Sequence, residues 1–353
     1  MGIDRAAIAL LAASLLGCAS PGDGETEDDA TGDALDSSNS FAILWVGDTL
    51  LADAAQDALD RDGYLYPFVF LWTLADADFS VGNAEGPITT ISEPYYPDQT
   101  WSYNARPNAA EALASFGFDA MSLANNHLMD RGPAGVDDTR ANLAAAGIEG
   151  FGAGGDADEA AAPLWIPTPY GLVAVIGMAE VSGYVPQAGA DSYGAETLSP
   201  ERVVTARARA LEGGARWVVA FVHWGNNYDV VEEEQRAYAE VFVAAGYDLV
   251  IGHGAHVPQR VELIAGVPVL YSLGNFVFGT PGRFSDAFPG RGLVATTRFD
   301  DDGLRRVELR CILTDNDEVR FQPRPCGWAE ARELMAALGP AVRLHDAIGV
   351  IER

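Results

Sequence analysis

Residues 121–130, Met-Ser-Leu-Ala-Asn-Asn-His-Leu-Met-Asp, constrain this chain more than any other stretch. An apolar run over 118–124 stops at two amides, an imidazole and, three residues further on, a carboxylate. Short apolar runs read as buried strands. In open α/β sheets the ligand site lies just outside the carboxyl ends of the strands. A chain that ends its strands this way is an α/β protein with its chemistry gathered at one edge of its sheets.

The ending recurs. The run 41–47 stops at Asp48, 79–81 leads to Asn83 and Glu85, and 118–124 leads to Asn126 and His127. The run 217–222 stops at His223, and 249–252 stops at His253 with His256 three residues beyond. Four of the five histidines fall in this set, and the fifth, His345, falls in a C-terminal tail expected to be helical. Mixed Asp, Glu, Asn and His donors suit one or two divalent ions such as manganese, iron or zinc. The lack of cysteine in the set argues against a closed structural zinc site. Two neighbouring ions bridged by a carboxylate can acidify a bound water and clamp both oxygens of an in-line displacement. His127 is the expected proton donor, with Asp130 one helical turn on to orient it.

Rival chemistries lack their motifs. The chain has no Gly-x-Ser-x-Gly elbow, no phosphate loop ending Gly-Lys-Ser/Thr and no His-Glu-x-x-His. Residues 152–157 superficially resemble a dinucleotide fingerprint but read as a glycine turn capped by Asp156. Lysine is absent and the formal charge is −29, so no basic footprint for nucleic acid exists. An anionic substrate would need ions and local arginines, such as Arg106, Arg131 and Arg283, to focus the field. Each of these also has an ordinary surface reading.

The N-terminus reads as a targeting segment. Arg5 precedes an apolar stretch over 6–16, too short to span a bilayer. It ends in Leu15-Leu16-Gly17-Cys18, which resembles a bacterial lipoprotein cleavage box and implies cleavage before Cys18 and lipid on its sulfur; the alternative is an ordinary secretory signal. Residues 19–40 form an acidic tether with little to bury, and 41–353 form the folded domain. The expected location is extracytoplasmic, lipid-anchored to a bacterial membrane. Cys311 and Cys326 then read either as a disulfide or as two separate thiols.

Elsewhere, helices are expected over 53–62, 67–75, 107–116, 133–146, 200–212, 232–245 and 328–338. Strand pairs are expected at 164–167 with 172–178 and at 261–264 with 267–272, and further strands at 147–151, 293–299, 304–313 and 318–321. Residues 86–107, rich in Pro and Tyr, form an ordered loop near the site, and 180–196 form a lid-like loop.

Six stretches carry a family resemblance: Val46-Gly47-Asp48, Gly82-Asn83-Ala84-Glu85, LANNHLMD over 123–130, His223-Trp224-Gly225, GHGAHV over 252–257 and YSLGNFVF over 271–278. Together they resemble the CapA (PgsA) family of capsule and poly-γ-glutamate synthesis, similar to calcineurin-like metallophosphatases, over about 41–279. The resemblance implies a four-layer α/β/β/α sandwich with mixed sheets, followed by a β/α extension over 280–353. It implies metal ligands at Asp48, Asn83, Glu85, Asn126, His223, His253 and His256, with Glu85 in the bridging position. Calcineurin-like enzymes carry a histidine where this chain has Leu50, and the family usually has Glu where this chain has Asn227. Asn227 and Arg106 are the candidate substrate contacts. Two functions stay open: a metal-dependent hydrolase of a phosphoester or anionic envelope polymer, and a non-catalytic polymer- or partner-binding component of a capsule-synthesis membrane complex.

Overall fold

The strand Phe41–Leu50 has all but its first residue buried. Its alternation divides it between two cores: Ile43 and Trp45 face one, Leu44 and Val46 the other. The computed structural model describes residues 39–181 and 184–353, and builds two sheets around this strand. The expected lipoprotein segment with Cys18, and the expected tether up to residue 38, lie outside the described residues.

The first sheet runs, in spatial order, Arg343–His345, Ile348–Glu352, Gly303–Leu313, Arg291–Asp300, Phe41–Leu50, Phe79–Ala84, Ala120–Ser122 and Glu149–Phe151, with Asn275–Phe278 pairing to the far end of Phe41–Leu50. Phe41–Leu50 and the next three strands are parallel, and the C-terminal strands join antiparallel. The second sheet runs Val261–Ile264, Val267–Leu270, Leu249–His253, Trp217–His223, Gly171–Ala179 and Leu164–Thr168, parallel at its centre and antiparallel at both edges.

Three apolar layers define the stacking. Between the sheets, Trp45 and Val81 meet Val175, Val219, Phe221 and Ile251. On the outer face of the first sheet lie the helices Asn108–Phe116 and Gly132–Ala145, which bury Leu113, Phe116, Val136 and Leu143. On the outer face of the second lie Pro200–Glu212 and Glu233–Ala245, which bury Val203, Ala210 and Phe242. The result is the four-layer α/β/β/α sandwich. Trp328–Ala337 closes one end of the inter-sheet layer with Leu334 and Met335. No helix among the described residues is long and apolar enough to cross a membrane.

Three expected elements differ. Residues 67–75 are not one helix but hold the 3-10 turns Tyr66–Phe68 and Trp72–Leu74, whose aromatic side chains are drawn onto Phe116. Residues 318–321 are not a strand; Asn316–Val319 is a short helix, because the Asp315 side chain accepts from the Asp317 N–H and Arg320 and Phe321 adopt positive φ. His345 lies in a strand, Arg343–His345, because the tail folds back as a hairpin onto Gly303–Leu313. The lid-like loop is anchored in its second half, where Gly194–Ala195 pairs with Ala153–Gly154. Cys311 and Cys326 stand as a disulfide, their Cα atoms 5.4 Å apart.

Candidate metal centre

Asp48 sits at a bulge. The register of Phe41–Leu50 shifts between Trp45 and Asp48 against Phe79–Ala84, and between Asp48 and Thr49 against Asn275–Phe278. Bulges re-aim side chains beside active sites. Gly47 permits this one: a Cβ there would lie 2.0 Å from the Gly274 carbonyl oxygen, which accepts the Asp48 N–H at 3.1 Å. The Asp48 carboxylate is fully buried. Its Oδ1 accepts from Asn83 Nδ2 at 3.0 Å, and its Oδ2 accepts from the Gly254 N–H at 3.0 Å. Gly254 has φ +103°, and a Cβ there would press on the His223 ring at 3.1 Å, so this donor requires glycine.

Imidazoles flank both oxygens. His253 Nδ1 lies 3.3 Å and His223 Nδ1 3.9 Å from Asp48 Oδ1, and the two nitrogens are 3.1 Å apart. Donors bound at about 2.1 Å are separated by roughly 3.0 Å in octahedral and 3.4 Å in tetrahedral geometry. The triangle is of that size, a little open on the His223 side. On the other face, His256 Nδ1 lies 3.3 Å from Asp48 Oδ2 and 2.8 Å from Asn275 Oδ1, while its Nε2 lies 3.5 Å from Glu85 Oε1. Two groups thus offer metal-ligand geometry, Asp48–His223–His253 and Asp48–Glu85–His256; the residue in both is Asp48, whose two oxygens face different imidazoles, and not Glu85, expected in the bridging position, which belongs to one group only.

The residues fit a divalent ion. Among the described residues, Glu85 Oε1 and Asn126 Oδ1 are buried without hydrogen-bond partners. An orphaned buried polar atom costs about 1–3 kcal/mol, and both come from the sequence-predicted ligand set. Burial, then the adjacent Asp48 charge, pushes the Glu85 carboxyl well above its ordinary range. Burial pulls Asp48 the same way, but hydrogen bonds and charge from His253 and His256 outweigh it and hold that carboxyl well below. Burial and neighbouring His253 hold His223 well below its usual value, so it stays neutral, the form that ligates metal.

Asn83, placed among the ligands by sequence, has both ends of its amide engaged. Its Nδ2 donates to Asp48 and reaches Glu85 Oε2 at 3.5 Å, and its Oδ1 accepts from Asn125 Nδ2 at 3.0 Å. It aligns the two carboxylates. Sequence reasoning missed Asn125, which also donates to the Ala84 carbonyl at 2.8 Å and accepts the His127 N–H at 3.0 Å. It missed Asn275 too; the signal for both was an Asn at a strand end within a quoted motif.

His127 Nδ1 lies 2.8 Å from Asp130 Oδ2. Asp130 also accepts the Tyr103 N–H at 2.6 Å and Gln99 Nε2 at 2.9 Å, so the carboxylate that aims the ring is itself fixed. With Nδ1–H turned to Asp130, Nε2 is the working nitrogen. Arg106 is not brought to the cluster: it pairs with Asp60 at 2.5 Å in a surface cleft shared with Tyr64 and Glu111. Arg131 is spent on Ser102 Oγ at 2.6 Å and the Ile91 carbonyl at 3.2 Å, which pin the 86–107 loop, and on the Asp130 carbonyl at 2.8 Å. Asn227 is exposed, four residues after His223.

The four-layer sandwich, with buried carboxylates, amides and imidazoles at its strand ends, is the metallophosphatase-like sandwich expected from the sequence. Within that class, the chain belongs to the bacterial capsule synthesis protein family PGA_cap, which matches residues 42–280. It is 29% identical over 241 residues to the PGA biosynthesis protein CapA of Bacillus subtilis (strain 168), covering 67% of this chain and 63% of that one. It is 29% identical over 247 residues to the capsule biosynthesis protein CapA of Bacillus anthracis, covering 67% and 60%. The chain thus spans less than two thirds of the length of these relatives. A solved putative 5'-nucleotidase from Staphylococcus aureus, in complex with alpha-ketoglutarate, overlays with a TM-score of 0.43 at 14% identity, covering 81% of this chain and 54% of that one.

Proposed function

We propose that this protein is a metal-dependent hydrolase that serves the synthesis, export or attachment of a poly-γ-glutamate-type capsule polymer, cleaving a phosphoester or a bond of the polymer. It acts outside the cytoplasm, held to the membrane by lipid on Cys18, in company with a capsule-synthesis membrane complex. The observation that carries the reading is the pair of ligand groups sharing buried Asp48. Asp48, His223 and His253 would hold one ion, and Asp48, Glu85 and His256 would hold a second; the unpartnered Asn126 amide oxygen would be a further donor. When bound, the ions supply Lewis acidity and an activated water. Asn83 and the Gly254 N–H fix the Asp48 carboxylate against the pull of either group. His127 gives its Nε2 proton to the leaving oxygen while Asp130 keeps the ring aimed.

A second reading has its own support. Leu50, where calcineurin-like enzymes carry a ligand histidine, is packed into the helix-side core, and the Glu85 group has one imidazole only. On that reading the protein binds polymer or a partner without turnover.

The deciding experiment measures metal content and hydrolysis of generic phosphomonoesters, phosphodiesters and a γ-linked glutamate polymer. Wild type is compared with His253→Ala/His256→Ala, with manganese, zinc or iron supplied. One to two ions per chain (the groups above), lost in the variant together with turnover, support the hydrolase. Metal without turnover moves the weight to the binding component, and no metal under any supplement overturns the site. Lipid on Cys18, read by mass spectrometry of the membrane-extracted protein, tests the anchor.

A further inference from the structure

Beside the cluster stands a construction that the ligand set does not use. The Arg283 guanidinium carbon lies 5.0 Å from the centroid of the Tyr228 ring and 5.4 Å from that of the Trp101 ring. The three residues come from separate parts of the chain: the 86–107 loop, the loop after His223 and the segment after Phe278. Tyr228 links them to the metal centre, its ring 5.6 Å from that of His256. Its placement is built rather than incidental. Tyr228 takes φ +58°, which bulky residues rarely adopt, and its N–H donates to the Ala255 carbonyl at 2.8 Å, within the turn that carries His253 and His256. Phe284 packs on the ring at 5.5 Å.

Arg283 is also unlike most arginines here. Among the described residues it has no carboxylate within 4.0 Å, and its guanidinium makes no hydrogen bond. Arg106, Arg140, Arg202 and many others are each matched to an acid. In a chain of formal charge −29, acids are plentiful. Aromatic faces hold a guanidinium through its plane and leave its N–H edges free, and those edges match a carboxylate or phosphate in a two-pronged fit.

We propose that Arg283, held between Trp101 and Tyr228, is the anion-receiving residue of this site: it takes a carboxylate or phosphate of the substrate and seats it beside the metal cluster. The substrate class is therefore anionic, which deepens the proposed function and rests on it for the chemistry that follows binding. Local cation and ions together overcome the repulsion of the acidic surface.

The test is equilibrium binding to the full-length, metal-loaded protein in detergent, with inorganic phosphate and a γ-linked glutamate oligomer as separate probes. Wild type is compared with Arg283→Gln and Arg283→Lys. Arg283→Gln is expected to weaken the probe that fits by about tenfold or more, which is about 1.4 kcal/mol. Arg283→Lys should fall between, since it keeps the charge and loses the fork. Metal content and unfolding midpoint should not move, because the side chain is exposed. The responding probe tells phosphate from polymer carboxylate. Equal affinity in Arg283→Gln, or no binding of either probe by wild type, overturns the proposal. Metal content and hydrolysis measured alongside separate the two readings. An Arg283 effect without metal or turnover removes the hydrolase and leaves the anion site; turnover with an indifferent Arg283→Gln removes the anion site alone.

Discussion

Glu85→Gln should stabilise the metal-stripped protein, and the gain should grow with pH. Glu85 is fully buried, and burial, then the Asp48 charge, raises its pKa well above the ordinary 4.5. A carboxyl whose pKa is higher folded than unfolded adds stability that is complete below the unfolded value and is lost as pH rises through the folded one. Within that window one proton separates the two states, so the loss is about 1.4 kcal/mol per pH unit. Glutamine keeps the shape, cannot ionise and escapes the loss. His223 runs the other way: its depressed pKa gives stability present above 6.5 and lost as pH falls below it. That term stands in both proteins and cancels in their difference. Urea unfolding of both proteins after chelation, from about pH 5 to about pH 8, reads the gap. It should widen by about 1.4 kcal/mol per unit until the folded-state pKa is passed, then level. Added manganese or zinc should stabilise wild type more than the variant, which keeps the Asp48–His223–His253 group alone intact. A gap that does not change with pH, or a variant less stable throughout, would refute the reasoning.

Three further outcomes are expected. His127→Ala should lower kcat/KM by about 10²–10⁴ while metal content stays constant; loss of metal with activity would make His127 a ligand instead. Reducing Cys311–Cys326, which are separated by 15 residues, should cost about 3 kcal/mol in urea unfolding, and equal midpoints with and without reductant would show that the bond does not constrain the chain. Gly47→Ala forces a Cβ to 2.0 Å from the Gly274 carbonyl oxygen, so it should cost about 1–3 kcal/mol and displace Asp48; retained metal affinity would contradict the role given to the bulge.

Much of this arrangement was legible because the strands end abruptly. Asp48, His223 and His253 each terminate an apolar run, and parallel pairing then puts His253 opposite His223 and Asp48 opposite Asn83. The four layers follow from alternation along the same strands, which sends Trp45 inward and Leu44 outward. What misled the reading was non-local. The tail around His345 looks helical alone but pairs with Gly303–Leu313, dozens of residues upstream. Arg106 stands in a loop near the cluster by sequence, yet Asp60, 46 residues away, claims it. The doubled amide Asn125–Asn126 gives no clue to which side chain turns toward Asn83; the structure gives that to Asn125 and leaves the Asn126 oxygen without a partner.

The shared aspartate explains why the surrounding residues are so constrained. A carboxylate whose two oxygens serve different groups cannot rotate without disturbing both. Each oxygen is accordingly held by its own donor, Asn83 on one and the Gly254 N–H on the other. Asn125 then holds Asn83, and the same Asn125 receives the His127 N–H. The ligand that would bridge the ions and the imidazole that would protonate the leaving group are thus positioned through one chain of hydrogen bonds. A disturbance at Asn125 should therefore reach metal affinity and proton donation together, although this residue sits in neither ligand group.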